Sequence, residues 1–361
     1  MNEQPSPGRR AYINAIAGAV PGHNIHRAYI DWAAARLADP RERQLFERMS
    51  ERSGINHRWS VLPPTPAGGS PVAQGGFYDG RVPGTAERMR LYGDYAPPLA
   101  LEAIAGLREK IELGAVSHLV VASCTGFVAP GVDQIIAAEL GLENVERTLI
   151  GFMGCYAAAA ALRTAHHIVR SDPAARVLAL TVELSTLHLQ FTDELEPLLA
   201  ELQFGDGAAA ALVTSDPRGL GIVAPFTAAL PDSGELIRWT IGDTGFDMIL
   251  SGEVPGRIGS ALQDERVRRR LLADWQVEEV DAWAVHAGGR SILDAVERSL
   301  DLGPESLAAS RRVLADYGNM SSSTLMFVLR DLLDQPGVGR GVAIAFGPGL
   351  AAEGLRFERA G

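Results

Sequence analysis

The chain has few of the residues that would mark several common classes of protein. Of its 361 residues only Cys124 and Cys155 are cysteines, too few for a disulfide framework. In a reducing compartment a lone thiol serves either as buried packing or as a nucleophile. There is no run of five or more Lys/Arg, and the formal net charge of −11 would repel a phosphate backbone, which excludes a general nucleic-acid role. Anionic ligands would have to meet local basic residues. No apolar run approaches the roughly 20 residues that span a bilayer, and the start, MNEQPSPGRRAY, lacks the apolar stretch of a signal peptide. The expectation is a cytoplasmic protein without stable membrane insertion. No zinc signature is present: His23 and His26 lack a companion carboxylate, His57 and His118 are isolated, and the adjacent His166 and His167 point to different faces of a helix. No metal site is expected.

What is present describes a globular chain with a sizeable core, 47% hydrophobic and 21% charged. A short strand at 11–17 is followed by helices at 30–37 and 41–53. Next comes a Pro/Gly/Ala/Ser-rich loop from Leu62 to Pro83, expected to be mobile and on the surface. Helical periodicity resumes at 86–92 and 97–113, and beyond it short β-rich runs alternate with helices, the pattern of an α/β fold. The second half reads as a repeat of the first. HLVVAS (118–123), TLIGFMG (148–154), RVLALTVEL (176–184) and GAAAALVTS (207–215) correspond to DAWAVHA (281–287), RVLADYGNM (312–320), GVAIAFGPG (341–349) and GLRFER (354–359). A duplicated unit would bring matching strand ends, hence Cys155, His286 and Asn319, to one place.

Each of these residues carries a chemical suggestion. Cys155 closes an apolar run and opens a helix predicted over 156–169, where free N–H groups and the positive dipole end favour a thiolate. The alanine row 157–160 would let that helix approach a sheet closely. His286, in WAVHAGGRSIL, ends a β-run, and Gly288 and Gly289 after it would let a ligand approach the backbone. Asn319, in YGNMSSS, precedes a helix predicted over 324–333; its amide could bond a developing oxyanion or simply cap the helix. The stretches FGDGAAAA (204–211) and GRGVAIAFGPGL (339–350) lack the P-loop and dinucleotide fingerprints and read as tight turns shaping a cavity. Arg48 and Arg52, one helical turn apart, are either a solvated face or a contact for an anionic nucleotide.

Taken together, GFMGCYAAAAALR, VELSTLHLQ, QFGDGAAAALV, FDMILSGEVPG, WAVHAGGRSIL, YGNMSS and FGPGL, in this order, resemble the type III polyketide synthases, the chalcone/stilbene synthase-like branch of the thiolase superfamily, in a bacterial-type wording. The likeness runs from Ala11 to Leu355. It implies a homodimer of five-layered αβαβα subunits, with thiolase-like halves at 1–217 and 218–361. It also implies a catalytic triad of Cys155, His286 and Asn319 that takes CoA thioesters as substrates and needs no further cofactor. In such enzymes the cysteine thiolate, kept ionised by the histidine, receives a starter acyl group. Malonyl-CoA or a close relative loses carbon dioxide, the resulting enolate attacks the acyl group, and after repeated rounds the chain cyclises. Phe204 matches the gatekeeping aromatic, and Met248 replaces its usual aromatic partner. Cys124, His188, Trp239 and Ser321 fall at cavity positions, and Arg48 and Arg52 at CoA-phosphate positions, while Leu45 stands where a third base is often lysine. Alkylpyrones or alkylresorcinols from fatty acyl starters are the expected product class.

Three other readings share some of these residues. A β-ketoacyl carrier-protein synthase also uses Cys, His and Asn, but FGPGL, YGNMSS and the gatekeeper motif favour the polyketide branch. A papain-like hydrolase places its cysteine near the mature N-terminus in a different motif. A catalytically silent, dimeric thiolase-fold binding protein would have no need of an intact triad.

Overall fold

The computed structural model describes residues 10–65, 69–230 and 232–360. Residues 1–9, on which most of the signal-peptide expectation rests, lie outside them. In chain order the first half contains β1 (Tyr12–Ala19), β2 (His23–Asn24), α1 (His26–Arg36), α2 (Pro40–Glu51), β3 (Trp59–Ser60), α3 (Thr85–Lys110), β4 (His118–Ser123), α4 (Val132–Glu139), β5 (Glu146–Gly151), α5 (Ala157–Ser171), β6 (Val177–Leu184), α6 (Leu195–Glu201) and β7 (Asp206–Thr214). The second contains β8 (Leu220–Ala229), β9 (Ile237–Gly242), β10 (Gly245–Leu250), α7 (Val254–Gln263), α8 (Glu265–Leu272), β11 (Ala282–Val285), α9 (Arg290–Ser299), α10 (Ala308–Tyr317), α11 (Ser322–Leu333), β12 (Arg340–Gly347) and β13 (Ala351–Arg359).

Nine strands run in the order β11-β12-β13-β8-β1-β7-β6-β4-β5. Where the halves meet, β1 and β8 share only the pairs Tyr12–Gly221 and Ile13–Leu220. The sheet is therefore two sheets joined at a corner. Strand alternation explains how they stack. On β4, Val120 and Ala122 face the central core while Leu119 and Val121 face outward, and on β7 Ala209 and Ala211 face in while Leu212 faces out. On β11, Ala282 and Ala284 face in, and Trp283 and Val285 face the second outer layer. On β11 and β12 small residues line the centre and larger ones the outer face, whereas β1 and β13 turn Ile13, Ile16, Leu355 and Phe357 inward; each buried Leu or Val stabilises by roughly 1.5–3 kcal/mol. Helices α5 and α11 fill the narrow central layer, α3 and α4 cover one sheet, and α7, α8 and α9 cover the other. The result is the αβαβα sandwich.

Four local expectations are corrected. The two helices expected at 86–92 and 97–113 are one, α3, which runs through Pro97 and Pro98 and ends at Lys110. The carbonyl that Pro97 would crowd belongs to Gly93, and burial of Tyr92, Leu99, Ala103, Ile104 and Leu107 against β1, β6 and β7 outweighs the lost hydrogen bonds. The run 312–320 is the end of α10 and a turn, not a counterpart of β5, because Ala309, Ser310, Val313 and Leu314 are buried at helical spacing. The stretches 204–211 and 339–350 belong mostly to strands β7 and β12. The loop 62–83 is anchored where described: Leu62 and Tyr78 are buried, and the Tyr78 hydroxyl donates to Thr186 O at 2.9 Å.

Candidate active site

Cys155 sits in a single 3-10 turn, Gly154–Tyr156, between β5 and α5. The chain reverses sharply there, with Phe152 at φ +55° and Gly154 at φ +73°. A Cβ on Gly154 would lie 2.5 Å from Pro348 Cδ, so only glycine lets the turn press against the Phe346–Leu350 segment. Ala157–Ala161 are all buried, which seats the first turn of α5 deep between the two sheets.

His286 follows β11. Its N–H donates to Ile344 O at 2.8 Å and its carbonyl accepts from Gly288 N at 2.8 Å. Neither ring nitrogen has a hydrogen-bond partner among the described residues, although both are buried. A Cβ on Gly289 would meet Gln203 Oε1 at 2.0 Å, and one on Gly288 would stand 3.3 Å from His286 Cδ2. The two glycines therefore admit neighbouring side chains as much as any ligand.

Asn319 lies between α10 and α11 and is held on three sides. Its N–H donates to Gln203 O at 2.7 Å, its carbonyl accepts from Gly205 N at 3.0 Å, and Phe204 bridges to it as a strand would. The side-chain Nδ2 donates to Gly288 O at 3.2 Å, while Oδ1 accepts from Ser321 N at 2.9 Å. The second amide N–H is directed at the Cys155 sulfur. Ser321 Oγ in turn lies 3.9 Å from Cys155 Sγ. Cysteine, amide and imidazole segment are thus joined through Ser321 and Gly288. Asn319 reaches this point from a helix end and not from the strand end expected of a strict repeat.

Burial dominates the electrostatics. The Cys155 thiol is pushed up to about 11 by desolvation and by the nearby Glu183, while hydrogen bonds from Ser321 and the Asn319 side chain pull the other way. Burial lowers His286 to about 3. Burial thus raises the thiol and lowers the imidazole, so it opposes both members of a thiolate–imidazolium pair, and the hydrogen bonds from Ser321 and Asn319 are what favour the thiolate.

Cys124 is buried beside this centre. Its N–H donates to Glu183 Oε2 at 3.0 Å, its thiol contacts both carboxylate oxygens at 3.3 Å, and its sulfur lies 3.1 Å from Ser321 Oγ. Desolvation and the Glu183 charge raise this thiol well above its usual range. Glu183 itself is fully buried in β6 and also accepts from Thr125 Oγ1 at 2.9 Å and from Ser322 Oγ. Burial pushes it up to about 7. Sequence reasoning passed over Glu183, although a carboxylate inside the otherwise apolar VLALTVEL run was the available signal.

Phe204, His188, Trp239 and Met248 line a cavity of about 80 Å³. Trp239 and Met248 are cross-strand partners in the β9–β10 hairpin. His188 stacks on Phe246 with centroids 4.1 Å apart, donates through Nε2 to Thr125 O at 2.7 Å and accepts from Phe246 N at 3.0 Å. Burial lowers it to about 3, so it is a neutral structural ring. On the other side of Gln203 a cleft of about 730 Å³ runs past Gly289 and is lined by Arg52, Ser53, Arg290 and Ser291. Arg48 lies one turn before Arg52 on α2, exposed. Arg290, absent from the sequence expectation, donates to Arg52 O at 3.1 Å. Among the described residues no cluster of His, Cys, Asp and Glu could hold a metal ion, and no helix is long and apolar enough to cross a membrane.

Cys155, Asn319 and the segment that carries His286 are linked within an αβαβα sandwich, the layered architecture of the thiolase fold. Residues 2–217 match the family model of chalcone and stilbene synthases, N-terminal domain, and residues 222–359 match the C-terminal domain of the same family. The chain belongs to this family, the type III polyketide synthases, which are acyltransferases that carry out decarboxylative condensation. It is 34% identical over 373 residues to the alpha-pyrone synthesis polyketide synthase-like Pks18 of Mycobacterium tuberculosis, covering 98% of this chain and 92% of that one. Among solved structures, PKS-I of the brown alga Ectocarpus siliculosus is similar at 29% identity and TM-score 0.82, covering 97% of this chain and 98% of that one. The C-terminal type III polyketide synthase domain of Steely1 from Dictyostelium is similar at 25% identity and TM-score 0.87, covering 98% and 100%.

Proposed function

We propose that the chain loads an acyl-CoA starter on Cys155 and extends it by iterative condensation with malonyl-CoA or a close relative, releasing a cyclised aromatic or pyrone product. Neutral His286 takes the thiol proton as sulfur attacks the starter thioester. The new S–C bond replaces the bond to CoA, which departs with the proton. The C–C bond to the extender carboxylate then breaks, carbon dioxide leaves, and the electron pair remains as an enolate whose oxygen is hydrogen-bonded by Asn319 and by the N–H of neutral His286. The enolate carbon attacks the Cys155 thioester, and the thiolate leaves.

The observation that carries this reading is the set of linked contacts from Cys155 Sγ through Ser321 to Asn319 and on to Gly288, two residues past His286. The name of the Mycobacterium relative favours a pyrone. Arg48 and Arg52 fit the role of CoA-phosphate contacts, with the pantetheine arm passing Gly289 along the cleft, and Phe204 with Met248 fits that of a constriction between cleft and cavity. CoA thioesters are the only small molecules the cycle needs. We place the two halves at 1–217 and 218–361, and the working form is a cytoplasmic homodimer. The exposed Phe127 and Leu149 beside edge strand β5 suit the partner face.

Incubation with labelled malonyl-CoA and a panel of acyl-CoA starters tests the proposal. Carbon dioxide release with an extended, cyclised product is expected. Release only from carrier-protein thioesters would instead assign a β-ketoacyl carrier-protein synthase. Absence of release with every starter would assign a silent binding protein.

A further inference from the structure

The cavity beside Phe204 has an apolar body, yet a group of buried polar atoms on its wall is unmatched. Arg58 is 2% exposed; its Nε donates to His26 Nδ1 at 3.0 Å and its Nη1 to Glu201 O and Phe204 O at 3.1 and 2.7 Å. Its Nη2 has no hydrogen-bond partner among the described residues. The same holds for Glu201 Oε2, Ser185 Oγ and Trp239 Nε1, and all four residues line this cavity. Each such atom costs about 1–3 kcal/mol when left unsatisfied, and four around one cavity are more than packing accidents explain.

Their polarity is one-sided. Guanidinium and indole N–H groups only donate, and a hydroxyl can donate. Glu201 Oε1 already accepts from Gln190 N at 2.7 Å. Burial pushes this carboxyl up to about 8 against the pull of the neighbouring Arg58 and Arg88, so the acid form, in which it too can donate, is more favoured than in an exposed glutamate. The wall therefore offers donors and asks for acceptor oxygens. An unsubstituted alkyl chain would leave every one of them without a partner.

We infer that this cavity selects starters whose acyl chain bears an oxygen function remote from the thioester, received by Glu201, Arg58, Ser185 and Trp239. The inference rests on the polyketide synthase reading and narrows its substrate class from fatty acyl groups in general to oxygenated ones. A pocket built to bond a substrate hydroxyl discriminates strongly against the analogue lacking it.

The test is loading of the full chain with ω-hydroxydecanoyl-CoA against undecanoyl-CoA, matched in length and differing in the terminal group. It is followed by intact-mass spectrometry without malonyl-CoA, so that carbonyls of a growing chain play no part. Loading efficiency should favour the hydroxylated starter at least roughly tenfold. The ratio should fall several-fold in Trp239→Phe, which keeps the ring and removes the N–H, and approach one in Glu201→Leu. Should Glu201→Leu fail to fold, Trp239→Phe and Ser185→Ala carry the test. Equal or better loading of undecanoyl-CoA by the unaltered chain, or a ratio unmoved by the variants, would overturn the inference while leaving the synthase reading intact. Loading by no acyl-CoA of the panel would overturn both.

Discussion

The hydroxyl of Ser321 stands between the two cysteines of the chain, 3.1 Å from Cys124 Sγ and 3.9 Å from Cys155 Sγ. Ser321 holds this place with φ at +48°, a strained conformation for a residue with a side chain. Both thiols are thus near one centre, but their surroundings differ. Cys124 is tied to the Glu183 carboxylate, which repels a thiolate, whereas Cys155 receives hydrogen bonds from Ser321 and Asn319.

Acyl transfer should therefore discriminate between the cysteines. Cys155→Ala is expected to lose loading altogether, and Cys124→Ala to retain it. Intact-mass spectrometry after incubation with acyl-CoA reads the added mass directly, and loading of the Cys155→Ala protein would remove Cys155 from the mechanism.

A neutral resting pair has a pH signature. With the thiol raised to about 11 and His286 lowered to about 3, the thiolate fraction grows about tenfold per pH unit through the neutral and mildly alkaline range. The rate of Cys155 alkylation by iodoacetamide, followed in Cys124→Ala, should keep climbing from about pH 7 to about pH 10. A plateau already reached near neutrality would mean a standing thiolate–imidazolium pair instead.

His286→Gln keeps a hydrogen-bonding side chain but cannot take the thiol proton at neutral pH. Loading and malonyl-CoA decarboxylation should both fall, by roughly 100-fold or more. Stopped assays of acyl mass and of carbon dioxide give the two rates separately, and unchanged rates of both would acquit the histidine.

Glu183 is an acceptor for four donors inside the core. Glu183→Ala strands the Cys124 N–H and the Thr125 and Ser322 hydroxyls, at an expected cost of about 2–4 kcal/mol. Denaturant unfolding would show the midpoint shift. Because burial raises this carboxyl from 4.5 to about 7, the folded state holds its proton more tightly than the unfolded one. Its contribution to stability is full below the unfolded value and declines as pH rises from about 4.5 to about 7. Glu183→Gln should flatten that slope.

Gly318 precedes Asn319 at φ +67°, where a Cβ would meet Arg58 Cγ and Gln203 O, each at 2.8 Å. Gly318→Ala should destabilise by about 1–3 kcal/mol and lower decarboxylation more than that loss explains, because Asn319 is displaced. Wild-type turnover in the folded variant would show that the amide position matters less than its contacts suggest.

How much of this was legible beforehand depends on the distance over which each feature is decided. The alternation of short β-rich runs with helices, the helix starting after Cys155, and the histidine ending a β-run are properties of a few consecutive residues, and periodicity reads them. The family wording placed Cys155, His286 and Asn319 as candidates. Glu183 was overlooked because its meaning lies in partners far along the chain, Cys124 and Ser322, that no local pattern links to it. Helix α3 was broken in two because proline's cost is local while the burial that offsets it is not.

By itself the amino-acid order determined the layered α/β architecture, since strand and helix periods and the alanine-lined inner faces are written residue by residue. Only the tertiary structure decided the protonation of the site and the character of the cavity. Both depend on how completely water is excluded and on which donors from distant segments, Arg58, Ser185, Glu201 and Trp239, are left facing one enclosed space. Desolvation is a property of everything packed around a group, and the order of residues along the chain does not state it.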